Sequence, residues 1–143
     1  MLGQDAAVAK WVGEKYGGTI LGPQWAPGIV DNDGQLRGGF IIRANSGTTC
    51  ELTVYSDQAL THGIARALFR YIFDALGFVR CVIHTAKSNR IVKRAVPKLG
   101  FRFEGTARNF YGQGEDALQF SMTPQTCRWL KTPGTPDGRI QKA

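Results

Sequence analysis

Apolar residues recur along this chain with two periods, and the switches between them lay out its elements. Near the start, Val8, Trp11, Val12 and Tyr16 fall at helical spacing, with Asp5 placed to cap the helix and Gly17-Gly18 to end it. Gly22-Pro23 and Pro27-Gly28 break regular structure, and from Gln24 the pattern turns to strands. Ile29-Val30 and Leu36 to Arg43 read as a hairpin around Asp31-Asn32-Asp33-Gly34, where Asp33-Gly34 would supply the positive φ angles of a tight turn. Asn45-Ser46-Gly47 makes the next turn. Thr48 to Tyr55, rich in β-branched and aromatic residues, makes the third strand.

Helical spacing then returns. Ile64, Ala65, Leu68, Phe69, Ile72, Phe73 and Leu76 mark one face of a helix that Gly77 ends. Val79 to His84 is a short strand, apolar enough to be central in a sheet. Ser88 is placed to cap a further helix, with Ile91, Val92, Ala95, Val96 and Leu99 on one face, basic residues on the other and Gly100 at its close. Phe101, Phe103 and Gly105, and later Leu118, Phe120 and Met122, alternate with polar residues, so two strands flank a loop from Arg108 to Glu115. The segment from Lys131 to Ala143, with Pro133, Gly134, Pro136 and Gly138, reads as a basic tail without packed structure. The order predicts an α+β fold: a mixed, mostly antiparallel central sheet flanked by helices. One parallel pair is required, because a strand-helix-strand unit must cross over. Residues 1–130 read as a single domain without internal repeats.

Composition narrows the setting. The 143 residues, 43% hydrophobic and 20% charged, suit one packed core, and no run approaches the roughly 20 apolar residues of a membrane span. The start, MLGQDAAVAKW, lacks the features of a secretory signal. Cys50, Cys81 and Cys127 form no close pair, and with only His62 and His84 to help them they make no metal-type spacing. A cytoplasmic protein with no membrane partner and no metal is the expectation. The net charge of +7 is compatible with nucleic acid, with an anionic membrane surface, with an anionic cofactor and acidic substrates, or with a solvated basic face and tail. Much of it lies on Lys87, Arg90, Lys93, Arg94 and Lys98 and on Arg128, Lys131, Arg139 and Lys142, without the interleaved aromatics that would favour nucleic acid.

Two stretches carry chemistry. SDQALTHGIARALF, Ser56 to Phe69, places a glycine turn between a strand and an amphipathic helix. A helix N-terminus offers unpaired backbone N–H groups and the positive end of the helix dipole, which suits a pyrophosphate. Gly63 would permit close approach, Ala65 keeps the next turn small, and the N–H groups of Thr61, His62, Gly63, Ile64, Ala65 and Arg66 would form the cradle. Equally, the glycine could serve only the turn. The second stretch is SNRIVKRAVPKLGFRFEGTAR, Ser88 to Arg108. With Gly114-Glu115-Asp116 and the alternating strand after it, this resembles the GNAT superfamily of acyl-CoA N-acyltransferases, nearest to the branch that includes the ribosomal-protein N-terminal acetyltransferases.

That resemblance implies acetyl-CoA as acyl donor, a primary amine such as a protein N-terminus or lysine as acceptor, and direct transfer in a ternary complex. It implies that Asn89 lies against the pantetheine arm, where its amide can both donate and accept; helix capping is the alternative. It implies that the third strand splays from its neighbour, so that backbone groups at Val54, Tyr55 and Ser56 hold pantetheine and polarise the thioester carbonyl. Glu51 on that strand is the candidate base. Tyr111, in the loop between the last strands, is the candidate proton donor or substrate reader, and His62 beside phosphates would bind rather than catalyse. The chain departs from the family pattern at Leu60, where a polar residue is usual, and at Val96, where many members carry an acid tyrosine. Those departures motivate a second expectation, a GNAT-fold module that binds CoA or a protein without efficient catalysis. A nucleic-acid-binding protein is a third. The short acceptor side leaves room for a partner subunit, and so for a homo-oligomer, to complete the groove.

Overall fold

The computed structural model describes Ala7, Val8, Trp11, residues 24–56 and residues 60–130. Ala7, Val8 and Trp11 are helical; the capping and ending expected at Asp5 and Gly17-Gly18, and the tail 131–143, lie outside the described residues. Seven strands follow in one sheet: β1 (Gln24–Trp25), β2 (Gly28–Val30), β3 (Leu36–Ala44), β4 (Thr49–Ser56), β5 (Arg80–Ala86), β6 (Arg102–Gly112) and β7 (Glu115–Met122). Their order is β1-β3-β4-β5-β7-β6, with β2 also paired to β3. All pairings are antiparallel except β4 with β5, which are joined through helix α1 (His62–Arg70). The α+β class and the single parallel pair are as the pattern predicts.

Strand parity sorts the sheet into two faces. Phe40, Ile42, Cys50, Leu52, Cys81, Ile83, Phe120 and Met122 share one face with Ala65, Leu68, Phe69 and Ile72 of α1 and with Val96 of helix α2 (Arg90–Lys98), forming the main core. A smaller cluster of Val8, Ala26 and Ile41, with Trp11, Leu36 and Tyr55 against it, covers the β3–β4 part of the opposite face. After Arg70 the helix continues as a π turn, Tyr71–Ala75, closed by hydrogen bonds from Leu76 N to Tyr71 O (2.9 Å) and Phe78 N to Ile72 O (3.2 Å). Gly77, at φ +80°, ends it as expected.

Four details differ from the sequence expectation. In the β2–β3 turn only Gly34 has positive φ (+79°); Asp33 keeps ordinary geometry because Asp31 Oδ1 accepts from the N–H groups of Asp33 and Gln35, both at 2.9 Å, and builds the turn itself. Helix α2 is capped by Asn89 rather than Ser88, with Asn89 Oδ1 accepting from Val92 N at 3.1 Å. The start of α2 is not packed: Ile91 is 82% exposed and only Val96 of this helix is buried. Finally, most of the loop expected from Arg108 to Glu115 is strand. Asn109 turns in the left-handed region (φ 53°), where its N–H donates to Asp116 Oδ1 (2.9 Å) and its own Oδ1 accepts from Gly114 N (2.8 Å). These bonds hold an irregular hairpin shut, so that Phe110 and Tyr111 stand near its tip.

Candidate active site

The parallel ladder between β4 and β5 is short. It pairs Thr49 with Arg80, Cys50 with Cys81 and Glu51 with Val82, and then ends, although β4 runs on to Ser56 and β5 to Ala86. Beyond Glu51 the β4–β5 pairing stops while each strand stays paired to its outer neighbour, Val54 and Tyr55 to Phe40 and Gly39 of β3, and Thr85 and Ala86 to Leu118 and Ala117 of β7. A notch therefore opens in the middle of the sheet. Because β4 and β5 are parallel, both deliver their following loops to the same edge, so α1 and α2 begin there; β6, two antiparallel steps from β5, brings its hairpin tip to that edge too.

At the start of α1, Thr61 caps the helix: its Oγ1 accepts from Ile64 N at 3.1 Å and its carbonyl from Ala65 N at 3.0 Å. Of the expected cradle, the N–H groups of Thr61, His62 and Gly63 are thus the ones that no bond within the helix takes up. A Cβ built on Gly63 would meet nothing within 4 Å, so open space lies before it. Among the described residues, two buried side-chain polar atoms have no partner, Arg66 Nε one turn into α1 and Thr85 Oγ1 past the last β4–β5 rung. His62 itself packs edge-on against Trp129 (ring centroids 5.0 Å), whose indole N–H donates to Leu99 O at 2.7 Å. Asn89 spends its oxygen on capping, which leaves its NH2 group to donate.

Glu51 sits at the apex of the notch on the face away from α1, and it is the centre of a polar chain that crosses five adjacent strands. Arg43 on β3 donates to Glu51 Oε1 at 2.8 Å, and His84 Nδ1 on β5 lies 2.6 Å from Glu51 Oε2. His84 Nε2 lies 3.0 Å from Gln119 Oε1 on β7, and Gln119 Nε2 donates to Glu104 Oε1 on β6 at 3.0 Å. Arg80, back on β5, grips both oxygens of Glu104. That guanidinium, helped by bonds from Gln119 and Ser121, holds the Glu104 carboxyl down at about 2. The Glu51 and His84 side chains are only 15% and 11% exposed. Phe110 covers the imidazole, its ring stacked 4.3 Å from that of His84 at an interplanar angle of 17°.

Tyr111, next to Phe110, is close enough to Glu51 and Tyr55 to feel their charge; burial first, then those neighbours, raise its hydroxyl above the ordinary phenol range. It also lines an open cleft of about 720 Å³ with Ala86, Lys87, Ser88 and Asp116. A smaller apolar groove of about 260 Å³, between Pro27, Ile29 and Phe40 on one side and Ile64 and Leu68 of α1 on the other, touches none of these groups. The structure thus brings Glu51 and Tyr111 to one site, sets Val54, Tyr55 and Ser56 along the notch, and starts α1 and α2 at its edge. Sequence reasoning missed His84, Gln119, Arg43, Glu104 and Arg80. The signal available was a histidine two residues after Val82 on a strand otherwise apolar enough to be central. Among the described residues no group of histidine, cysteine or carboxylate side chains could hold a metal ion, and no helix is long and apolar enough to cross a membrane.

No protein-family model and no curated protein matches the sequence. Solved structures do match in shape. A GCN5-related N-acetyltransferase from Brucella melitensis aligns with TM-score 0.58 and 24% identity over 70% of this chain and 51% of its own. A spermidine N-acetyltransferase variant from Vibrio cholerae aligns with TM-score 0.65 and 14% identity over 76% and 69%. The ribosomal-protein-S5-alanine acetyltransferase from Vibrio fischeri aligns with TM-score 0.59 and 18% identity over 76% and 64%. The chain spans about half to two-thirds of the length of the solved structures it matches. At these identities the likeness is one of fold: the chain has the fold of the GCN5-related N-acetyltransferases.

Proposed function

We propose that this chain is an N-acetyltransferase that moves an acetyl group from acetyl-CoA to a primary amine by direct transfer in a ternary complex. The observation that carries the reading is the β4–β5 ladder ending at Glu51, which opens a notch with an acid-base residue at its apex and a helix tip at its edge. Acetyl-CoA would supply an acyl group already activated as a thioester. The residues fit it: the helix N–H groups at His62 and Gly63 lie where the Gly63 Cβ position is open, with room for a pyrophosphate, and the unpartnered Arg66 Nε and Thr85 Oγ1 await acceptors or donors on the ligand. The Asn89 NH2 group would orient the amides of the pantetheine arm. Backbone groups of Val54, Tyr55 and Ser56 would hold the carbonyl where negative charge develops. Glu51, with Tyr111 beside it, would manage the proton that an amine must lose before it attacks. The fold neighbours include an enzyme named for a ribosomal-protein alanine and one for spermidine, so a protein N-terminus, a lysine or a polyamine is the acceptor class to try first.

One observation favours a second reading, a module that binds CoA or a protein partner without efficient catalysis: both oxygens of Glu51 are already engaged, by Arg43 and His84. A calorimetric titration with acetyl-CoA, followed by thiol release across a panel of amines and peptides, separates the two. Binding with thiol release supports the enzyme. Binding without release on any acceptor supports the module, and no heat and no thermal stabilisation at millimolar acetyl-CoA defeats both.

A further inference from the structure

The proton content of the Glu51–His84 pair is fixed from the far side of the sheet. Arg80 binds both oxygens of Glu104, and with its carboxyl held at about 2 Glu104 is ionised at any ordinary pH and can only accept hydrogen bonds. The Gln119 atom 3.0 Å from Glu104 Oε1 is therefore the NH2 nitrogen, and the amide oxygen turns toward His84. A flipped Gln119 would set two acceptors against each other at that distance. Since Gln119 Oε1 accepts, His84 Nε2 carries a hydrogen and donates it. The ring's other nitrogen then faces Glu51 Oε2 at 2.6 Å, and an imidazole lone pair cannot sit that close to a carboxylate lone pair without a proton between them.

We infer that Gln119, anchored by Glu104 and Arg80, is a positioning residue that makes Glu51 and His84 share one proton, so that the pair is a single loaded acid-base unit rather than a carboxylate standing empty. With Arg43 on the other Glu51 oxygen, the three side chains together carry one positive charge wherever the shared proton sits. Among the described residues, the other charged or titratable groups that face the unit include Tyr55 from β4, Arg80 from β5, and Glu104 and Tyr111 from β6. Phe110 shields the imidazole from water, which strengthens every one of these interactions. The proton count rests on this hydrogen-bond geometry and on the ionised state that Arg80 imposes on Glu104; its importance for catalysis rests on the proposed acetyl transfer.

The chain holds two histidines, so long-range proton–nitrogen NMR correlation resolves His84 once H62Q identifies the other. At neutral pH the wild-type His84 ring should show a protonated Nε2 and a strongly deshielded proton in the Nδ1–Oε2 contact. In E104Q, two residues away along the chain of bonds, Gln119 is free to flip and His84 should convert to a neutral ring protonated only on Nδ1; Q119L, which removes the acceptor altogether, should give the same shift. A wild-type ring with bare Nε2 overturns the inference whether or not the variants fold. So does an E104Q spectrum identical to wild type. In an acetyl-transfer assay E104Q should lower kcat on the order of tenfold and displace the pH profile while leaving KM for acetyl-CoA in place, the scale of one lost orienting hydrogen bond; an unmoved profile refutes the catalytic half. If the wild type shows the shared proton but transfers no acetyl group, the proposed function fails and the positioning role stands.

Discussion

Replacing Glu104 by glutamine tests the electrostatics of the sheet without leaving a hole, because the shape is kept and only the charge is lost. The Glu104 carboxyl is held down from 4.5 to about 2, first by the hydrogen bonds from Arg80 and then by those from Gln119 and Ser121. At ~1.4 kcal/mol per pH unit, that depression would be worth roughly 3 kcal/mol as a ceiling. Glu104 and Arg80 are 31% and 33% exposed, however, so solvent screens the pair and the figure falls to about 1–2 kcal/mol. The sign follows from the direction of the depression. Stability from a carboxyl pulled below its unfolded value is complete above 4.5 and drains away as pH falls toward 2. Urea unfolding of wild type and E104Q in parallel, at pH 7 and then stepwise downward, should therefore show a gap of about 1–2 kcal/mol that narrows below pH 4.5 and closes near pH 2. Carboxylates outside the Glu104–Gln119–His84–Glu51 chain cancel in the difference. A gap that stays constant down to pH 3, or one that never exists, would refute the argument that Arg80 holds this group ionised.

The remaining expectations concern the notch and the core. E51Q should fold normally yet lose on the order of a hundredfold or more in kcat, the usual scale for a positioned acid-base group; activity within threefold of wild type removes Glu51 from the mechanism. G63A should leave stability unchanged or raise it by up to ~1 kcal/mol, since its Cβ has room, while weakening acetyl-CoA binding measured by calorimetry; unchanged affinity would move the phosphates elsewhere. The thiols of Cys50, Cys81 and Cys127 are all buried, and Cys81 is raised further, first by its contact with Cys50 and then by burial. They should resist an aromatic disulfide reagent until the protein unfolds, and rapid reaction of any one in the native state contradicts this packing.

The backbone was legible where one residue type dictates one conformation. Gly77 and Gly100 end their helices at φ +80° and +105°, and the change of hydrophobic period at Gln24 and at Ile64 marks real element boundaries. It was not legible where side chains compete for backbone groups. The carboxylate of Asp31 took over the β2–β3 turn from Asp33-Gly34, Asn89 took the cap from Ser88, and Asn109 with Asp116 turned an expected loop into the end of a strand. In each case the winner is a short polar side chain whose acceptor reaches a nearby N–H, and sequence shows several equally suited residues side by side.

The site divides along the same line. Positions tied to a single turn, such as Thr61 to Gly63 at the head of α1, could be read locally, because helix geometry alone decides which N–H groups remain. The polar chain could not. Arg43, Glu51, His84, Gln119, Glu104 and Arg80 come from five strands and meet only because parity puts them on one face and the order β3-β4-β5-β7-β6 sets them side by side. Shift the register of β7 by one residue and Phe120 would face His84 while Gln119 entered the apolar core, an exchange that the burial of Phe120 forbids. The packing of the helix-covered face thus fixes the register that lets the other face pass a hydrogen-bond constraint from Arg80 to Glu51. What appears in the sequence as a candidate base on its own is, in the folded sheet, one end of a chain whose other end decides how many protons it holds.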